Sequence, residues 1–126
     1  MSSDLFSRDG FDAFLSGLPA VSFVDQWESH VAKVDDKVFA ALGDSNCNWG
    51  DKIVIKVSEE SFEILTAIEE IGQAAYFAKR KWVSIGCDAP LSEDELRHYI
   101  RRSYELVAAG LTRKRRGELS ISLPLA

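Results

Sequence analysis

Residues 26–42 read QWESHVAKVDDKVFAAL, and this stretch decides the fold class. Its first part, residues 26–34, alternates side chains along one strand, although neither face of that strand is purely apolar. Asp35-Asp36-Lys37 is a short polar turn, and residues 38–42 are apolar enough to form a second strand. The stretch therefore predicts a β-hairpin, which makes the sheet antiparallel where it begins.

Further elements are predicted on both sides of this hairpin. Alternating or apolar runs predict strands at 52–57, 75–78 and 82–87. Apolar side chains at helical spacing predict helices over 7–17, 58–71 and 92–111. Ser92 and Glu95 form a capping box at the start of the last helix. The order α-β-β-β-α-β-β-α indicates an α+β protein.

The length and composition are those of a single ordinary domain. The chain has 126 residues, of which 46% are hydrophobic and 28% charged. We assign residues 1–126 to one domain, with its core at about 5–111 and a basic, then apolar, tail at 112–126. The end of this tail alternates in polarity, which fits either an extra edge strand or a disordered end.

Several classes of protein are disfavoured by the same sequence. No apolar run approaches the ~20 residues of a membrane helix, and no secretory signal pattern begins the chain. Two cysteines, Cys47 and Cys87, are too few for a disulfide framework. We therefore expect a cytoplasmic protein without a membrane partner; oligomeric state is left open.

Four short motifs resemble the MmcQ/YjbR family. They are Leu18-Pro19, the hairpin string 33–40 (KVDDKVFA), the segment 79–83 (KRKWV) and the string 103–107 (SYELV) in the last helix. The resemblance runs from about residue 5 to residue 111. It implies a two-layer fold in which helices pack against a five-stranded antiparallel sheet. Members of this family are often described as DNA-binding, so DNA is the partner that the resemblance implies.

Positive charge is concentrated late in an otherwise acidic chain. Residues 1–78 hold 5 Lys and Arg against 14 Asp and Glu, whereas residues 79–116 hold 10 against 5. Exposed charges more than ~8 Å apart are largely screened at physiological salt, so a local basic face can act despite a net charge of −5. The candidate nucleic-acid contacts are Lys79, Arg80, Lys81, Arg97, Arg101, Arg102, Arg113, Lys114, Arg115 and Arg116.

These cations have three possible explanations. A guanidinium fork suits bidentate contact with a phosphate, which holds DNA without reading its bases. The same side chains are also explained as a solvated helical surface, with Glu105 available to pair with Arg101. An acidic protein or a small anion is the third possibility.

Catalytic and metal chemistry is not indicated. His30 and His98 are far apart, the two cysteines form no CxxC motif, and no nucleophile elbow or glycine-rich phosphate loop occurs. The paired carboxylates occupy turns and polar helix faces, where solvated charge is usual. We therefore predict a non-enzymatic binding module with no metal and no cofactor. The alternative is a protein-interaction or small-ligand module that uses an apolar groove near Trp49, an aromatic residue in a polar loop.

Overall fold

One antiparallel sheet and the helices on one of its faces form the fold. The computed structural model describes residues 4–26, 29–43, 52–74, 77 and 79–123. The described strands are β1 Val21–Gln26, β2 Ser29–Val34, β3 Lys37–Gly43, β4 Lys52–Lys56, β5 Ile71–Gln73 and β6 Trp82–Gly86. The described helices are α1 Arg8–Leu15, α2 Glu59–Thr66, α3 Glu93–Ala108 and α4 Arg113–Glu118, preceded by a 3-10 turn at Asp4–Phe6.

The sheet has six described strands, in the order β1-β2-β3-β4-β6-β5, with every neighbouring pair antiparallel. The α+β class is confirmed, and the prediction of five strands is wrong. The predicted strand at 26–34 corresponds to β2 and to the last residue of β1, and the rest of β1 was missed. Gln26 pairs with Ser29, so the chain reverses within what looked like one continuous strand.

The sheet also gains a strand where the sequence predicted helix. α2 ends at Thr66 rather than at Ile71, and Ile71 instead begins β5 and pairs with Ile85. Glu70, which comes just before β5, has a φ of 68° and so lies in the left-handed region. Of the predicted strand at 75–78, residues 75, 76 and 78 lie outside the described residues.

The three predicted helices are confirmed with shorter bounds, and each begins at a serine cap. Ser7, Ser58 and Ser92 accept hydrogen bonds from the backbone N–H three residues further on. Both hydrogen bonds of the capping box predicted for Ser92 and Glu95 are present. Hydrogen bonds from Ser92 to the Glu95 carboxylate lower the pKa of that carboxyl group. α4 was not predicted, and it begins at a fourth cap of the same kind, Thr112.

The core lies between the sheet and α1, α2 and α3. Side chains alternate between the two faces of each strand, so cross-strand partners share a face. The helix-facing side holds apolar residues of all six strands, including Ala32, Leu42, Ile53, Ile85 and Ile71. α3 contributes Leu96, Ile100, Tyr104 and Val107, and the tail contributes Ile121, which is 6% exposed. The described part of the tail, up to residue 123, forms no strand.

Candidate nucleic-acid interface

The strand pairing brings two of the predicted basic segments to the same end of the sheet. The β2–β3 turn precedes Lys37, and β3 runs antiparallel to β4, so this turn lies at the end of the sheet where β4 finishes. Lys56, the last residue of β4, pairs with Trp82, the first residue of β6. The backbone N–H of Val57 donates to the Lys81 carbonyl at 2.8 Å, which fixes the turn at 79–81 to this end.

α4 reaches the same end of the sheet from the helix layer. Its Arg115 guanidinium donates to the carboxylate of Asp35, in the β2–β3 turn, at 2.7 Å. Three strand spacings of about 4.8 Å separate this turn from the turn at 79–81, or about 14 Å in all. We call this surface the basic end; it consists of Lys37, Lys56, residues 79–81 and residues 113–116.

Three of the basic-end cations are already held by other groups of the protein. Arg80 pairs with Glu63 at 2.7 Å and lies 5.7 Å from the ring centre of Phe62. Arg115 pairs with Asp35, which lowers the pKa of the Asp35 carboxyl group and raises that of the guanidinium. Arg116 donates to the carbonyl oxygens of Leu111 at 2.9 Å and Ala109 at 3.2 Å, and so caps the end of α3.

Four of the seven predicted contacts at the basic end have no such partner. Lys79, Lys81, Arg113 and Lys114 are exposed, and none of them forms an ion pair with a described residue. They divide equally between the two segments, with two in the turn and two in the first turn of α4. These four side chains are therefore available to bind an anion without breaking an ion pair between described residues.

The arginines of α3 lie on a different surface. One side of α3 is buried in the core through Leu96, Ile100 and Val107. The arginines Arg97, Arg101 and Arg102 therefore lie on the outward side of this helix. There they line an open depression of about 560 Å³ together with Phe14, Asp94, His98 and Glu105.

Two of these arginines have carboxylate partners within α3. Arg97 pairs with Glu93 at 3.1 Å, and Arg102 pairs with Glu105 at 3.2 Å. Arg97 also lies 5.4 Å from the ring centre of Phe14. The ten predicted contacts are therefore not one surface: seven meet at the basic end and three lie apart from it.

An ionic cluster around His30 was missed by the sequence reasoning. His30 is 7% exposed, and its Nδ1 and Nε2 atoms each lie 2.6 Å from a carboxylate oxygen, of Asp25 and Asp12 respectively. An ionised carboxylate only accepts, so both hydrogen bonds form together when both ring nitrogens carry protons. The His30 ring stacks on Phe23 at 5.3 Å, and Arg8 donates to both oxygens of Asp25.

This cluster joins α1 to the β1–β2 hairpin, because Arg8 and Asp12 lie on α1 and the other two members on the strands. Arg8 and His30 lower the pKa of the Asp25 carboxyl group through their hydrogen bonds. The hydrogen-bonded residues of this cluster are up to 18 positions apart in the sequence, and no motif spacing relates them. Charge alone gives no signal for such a pairing in a single sequence.

Other predictions concern Trp49, metal binding and the membrane. Trp49 lies outside the described residues, as does the loop around it, so the predicted apolar groove stays a prediction. Within the described part of the chain, no three His, Cys, Asp or Glu side chains are grouped as a metal site. No described helix is long and apolar enough to cross a membrane.

Comparison with known proteins gives a family and a fold. The family model described as YjbR matches residues 16–106. Protein DR2400 of Deinococcus radiodurans, whose domain is described as DUF419, is similar over 99% of this chain and 96% of its own, with 23% identity and a TM-score of 0.85. A protein from Pseudomonas syringae is similar over 79% of this chain and 97% of its own, with 20% identity and a TM-score of 0.63. No curated protein matches the chain.

Proposed function

The chain belongs to the YjbR family, and we propose that it is a non-enzymatic binding module that holds DNA weakly by its phosphates. The contact surface is the basic end. One observation carries this proposal: Lys79, Lys81, Arg113 and Lys114 are exposed cations without ion-pair partners among the described residues, and they belong to two segments that meet at one end of the sheet.

The spacing of the two segments suits a sugar-phosphate backbone. Successive phosphates of one DNA strand are several ångströms apart, so a span of about 14 Å reaches more than one of them. Lysine and arginine contacts to phosphates position a protein on DNA but carry no sequence information. Binding through these four side chains is therefore expected to be insensitive to sequence.

The paired cations of the basic end add a second, conditional contribution. The Arg80–Glu63 and Arg115–Asp35 pairs are exposed, with 54% and 44% of the arginine side chains accessible. Exposed pairs of this kind contribute about 0–1 kcal/mol, so a phosphate can compete with the carboxylate.

Two features make the expected binding weak. The whole chain has a net charge of −5 and repels DNA at long range. Exposed carboxylates of Asp36, Glu59 and Glu60 also lie near the basic end, because α2 starts directly after β4. The affinity is therefore expected to be measurable at low salt and to fall quickly as salt is added.

The proposal is tested by a double variant in α4, R113A/K114A, assayed by fluorescence anisotropy on labelled duplex DNA across a salt series. Neither side chain forms a hydrogen bond or an ion pair with another described residue, so the fold is expected to be kept. Each phosphate contact that is lost makes the slope of log K against log salt less steep by about 0.9. We expect a change of about 1–2 in this slope.

The matched control is R97A/R102A on α3, which removes the same number of charges from the other surface. It changes the net charge equally, so a general charge effect would alter both variants alike. A slope that changes equally in the two variants, or in neither, contradicts the assignment of DNA binding to the basic end. The alternative function, a protein-interaction or small-ligand module at Trp49, predicts binding that is insensitive to salt.

A further inference from the structure

We propose that this protein prefers a single strand of nucleic acid to a duplex, and that one unpaired base of that strand stacks on the aromatic pair Trp82–Phe77 beside Lys56. This inference rests on the proposed function and names the form of its ligand. It concerns the sheet face opposite the helices, which we call the outer face, at the point where this face meets the basic end.

Trp82 lies on the outer face. Its neighbours Val83 and Ile85 are buried in the core, so the alternation of the strand turns Trp82 the other way. Trp82 is half-buried, and its cross-strand partner is Lys56. Directly opposite residues in an antiparallel pair have Cβ atoms about 5 Å apart, so the lysine ammonium reaches the region beside the indole.

A second aromatic ring extends this surface. The Phe77 ring centre lies 4.6 Å from that of Trp82, with the two planes inclined by 35°. Both side chains are half-buried rather than enclosed in the core. Lys79 and Lys81, two of the cations without ion-pair partners, belong to the short segment that joins these two aromatic residues. The aromatic pair is therefore continuous with the proposed phosphate contacts.

The charge of the outer face complements a polyanion. Lys33 and Lys56 both lie on it near the basic end, as the pairings of Lys33 with Val38 and of Lys56 with Trp82 show. No described strand residue of the outer face is acidic, because the one strand carboxylate, Asp25, pairs with His30 on the helix side. Glu70 approaches Gly86 at the opposite end, away from Trp82.

These features distinguish a single strand from a duplex. A base inside a duplex is covered on both sides by its neighbours and cannot stack on a protein ring, whereas an unpaired base can. Stacking on an aromatic side chain tolerates any base and typically strengthens binding about tenfold or more per base. Lysines flanking the rings can contact the phosphates on either side of the stacked nucleotide.

The test compares three labelled ligands of equal length with the full chain at one low salt concentration: a thymidine 12-mer, an abasic 12-mer that keeps the phosphates, and a duplex. We expect the thymidine strand to bind about tenfold more tightly than the abasic strand. Equal affinity of these two strands overturns the stacking inference and leaves phosphate binding intact. Binding of none of the three overturns the proposed function itself, and the inference with it.

Variants then locate the base. W82L is expected to bring the thymidine strand to the affinity of the abasic strand, whereas W82F keeps an aromatic ring and most of the preference. F77L provides a second test if circular dichroism shows that W82L does not fold. This variant is expected to reduce the preference for the thymidine strand over the abasic strand. A preference for thymidine that survives both W82L and F77L contradicts the assignment to this aromatic pair.

Discussion

The Ser103 hydroxyl, on α3, donates a hydrogen bond to the backbone carbonyl of Phe39, on β3, at 2.5 Å. The same oxygen accepts from the backbone N–H of Lys56, on β4, at 2.8 Å. The pairing of β2 with β3 shifts register between Ala32 and Lys33, opposite Phe39. The hydroxyl therefore bridges two backbone groups where the β3–β4 ladder stops, and it ties α3 to the middle of the sheet.

Replacement of Ser103 with alanine is expected to lower the free energy of unfolding by about 2–4 kcal/mol. Ser103 is fully buried, so the substitution leaves the buried Phe39 carbonyl without a partner, at about 1–3 kcal/mol, and the part-buried Lys56 N–H without a partner, at about 1 kcal/mol. Urea unfolding followed by circular dichroism measures the loss. S22A, at an exposed position of β1, is the matched control and should change stability by less than about 0.5 kcal/mol. Similar losses in the two variants would contradict the bridging role.

Tyr104 should make the protein sensitive to alkaline pH. Burial raises the pKa of the Tyr104 hydroxyl to about 12, and this hydroxyl donates to the Pro19 carbonyl at 2.6 Å. Because the folded pKa lies above the unfolded one, the associated stability is present below pH 10 and is lost as the pH rises towards 12. Y104F cannot ionise, so its stability should fall less over this range, although it starts lower at neutral pH.

The control for Tyr104 is Y99F, since Tyr99 forms no hydrogen bond with another described residue. Its alkaline loss of stability should match that of the wild type. If Y104F and the wild type lose stability equally between pH 10 and 12, Tyr104 does not cause the sensitivity.

The sequence predicted the helix α3, but it did not predict the hydrogen bonds by which Ser103 and Tyr104 tie this helix to other parts of the protein. Ser103 falls on the apolar stripe of α3, so its burial was predictable from the helical spacing. Its partners were not, because Phe39 and Pro19 are 64 and 85 positions away from Ser103 and Tyr104. Helical periodicity is a local signal, whereas these contacts depend on how the layers pack.

The missed strands have equally specific causes. β1 pairs with β2 up to Gln26 and Ser29. The two residues between them in the sequence, Trp27 and Glu28, are not among the Gly, Asn and Asp that mark tight turns, so the sequence gives no turn signal there. α2 ends at Thr66, five residues before Ile71, and the left-handed position just before β5 is occupied by Glu70 rather than by a glycine that would have marked it in the sequence. Gly117 lies within α4, where a glycine disfavours helix, and this hid α4 despite the cap at Thr112.

Asp25 should contribute to stability at neutral pH and lose that contribution in acid. Its folded pKa lies below the ordinary value of 3.8, chiefly through the hydrogen bond from Arg8 and then that with His30. The stability is therefore present above about pH 4 and lost as the pH falls through the depressed folded pKa. Urea unfolding between pH 7 and 3 should show a shallower acid decline for D25N than for the wild type. D88N, at an exposed position without a described ion pair, should keep the full decline, and equal declines in D25N and D88N would contradict the prediction.

Arg116 should stabilise the protein rather than bind a ligand. R116A removes the hydrogen bonds to the carbonyls of Leu111 and Ala109, and we expect a loss of about 1–2 kcal/mol in the free energy of unfolding. R113A is the matched control in the same helix, and its effect should stay within about 0.5 kcal/mol. Equal effects of the two substitutions would mean that the cap on α3 carries no net stability.

The candidate site was predictable only as a set of cations. Clustering in sequence drew attention to residues 79–81 and 113–116, but it could not separate Arg115 and Arg116, which are bonded to other groups of the protein, from Arg113 and Lys114, which form no ion pair with a described residue. It also grouped the α3 arginines with them, although the core-facing stripe of α3 turns those arginines to another surface. Pairing partners and surface direction are tertiary properties, so they required the structure.

DNA binding at the basic end is tested most directly by the salt dependence of binding between the full chain and duplex DNA. Base stacking plays no part in the binding of a duplex. Four phosphate contacts, from Lys79, Lys81, Arg113 and Lys114, predict a slope of log K against log salt of about −3.6. The variant K79A/K81A/R113A/K114A should make this slope less steep by about 3.6. Absence of binding at the lowest salt, or a slope that the quadruple variant leaves unchanged, would contradict DNA binding at the basic end.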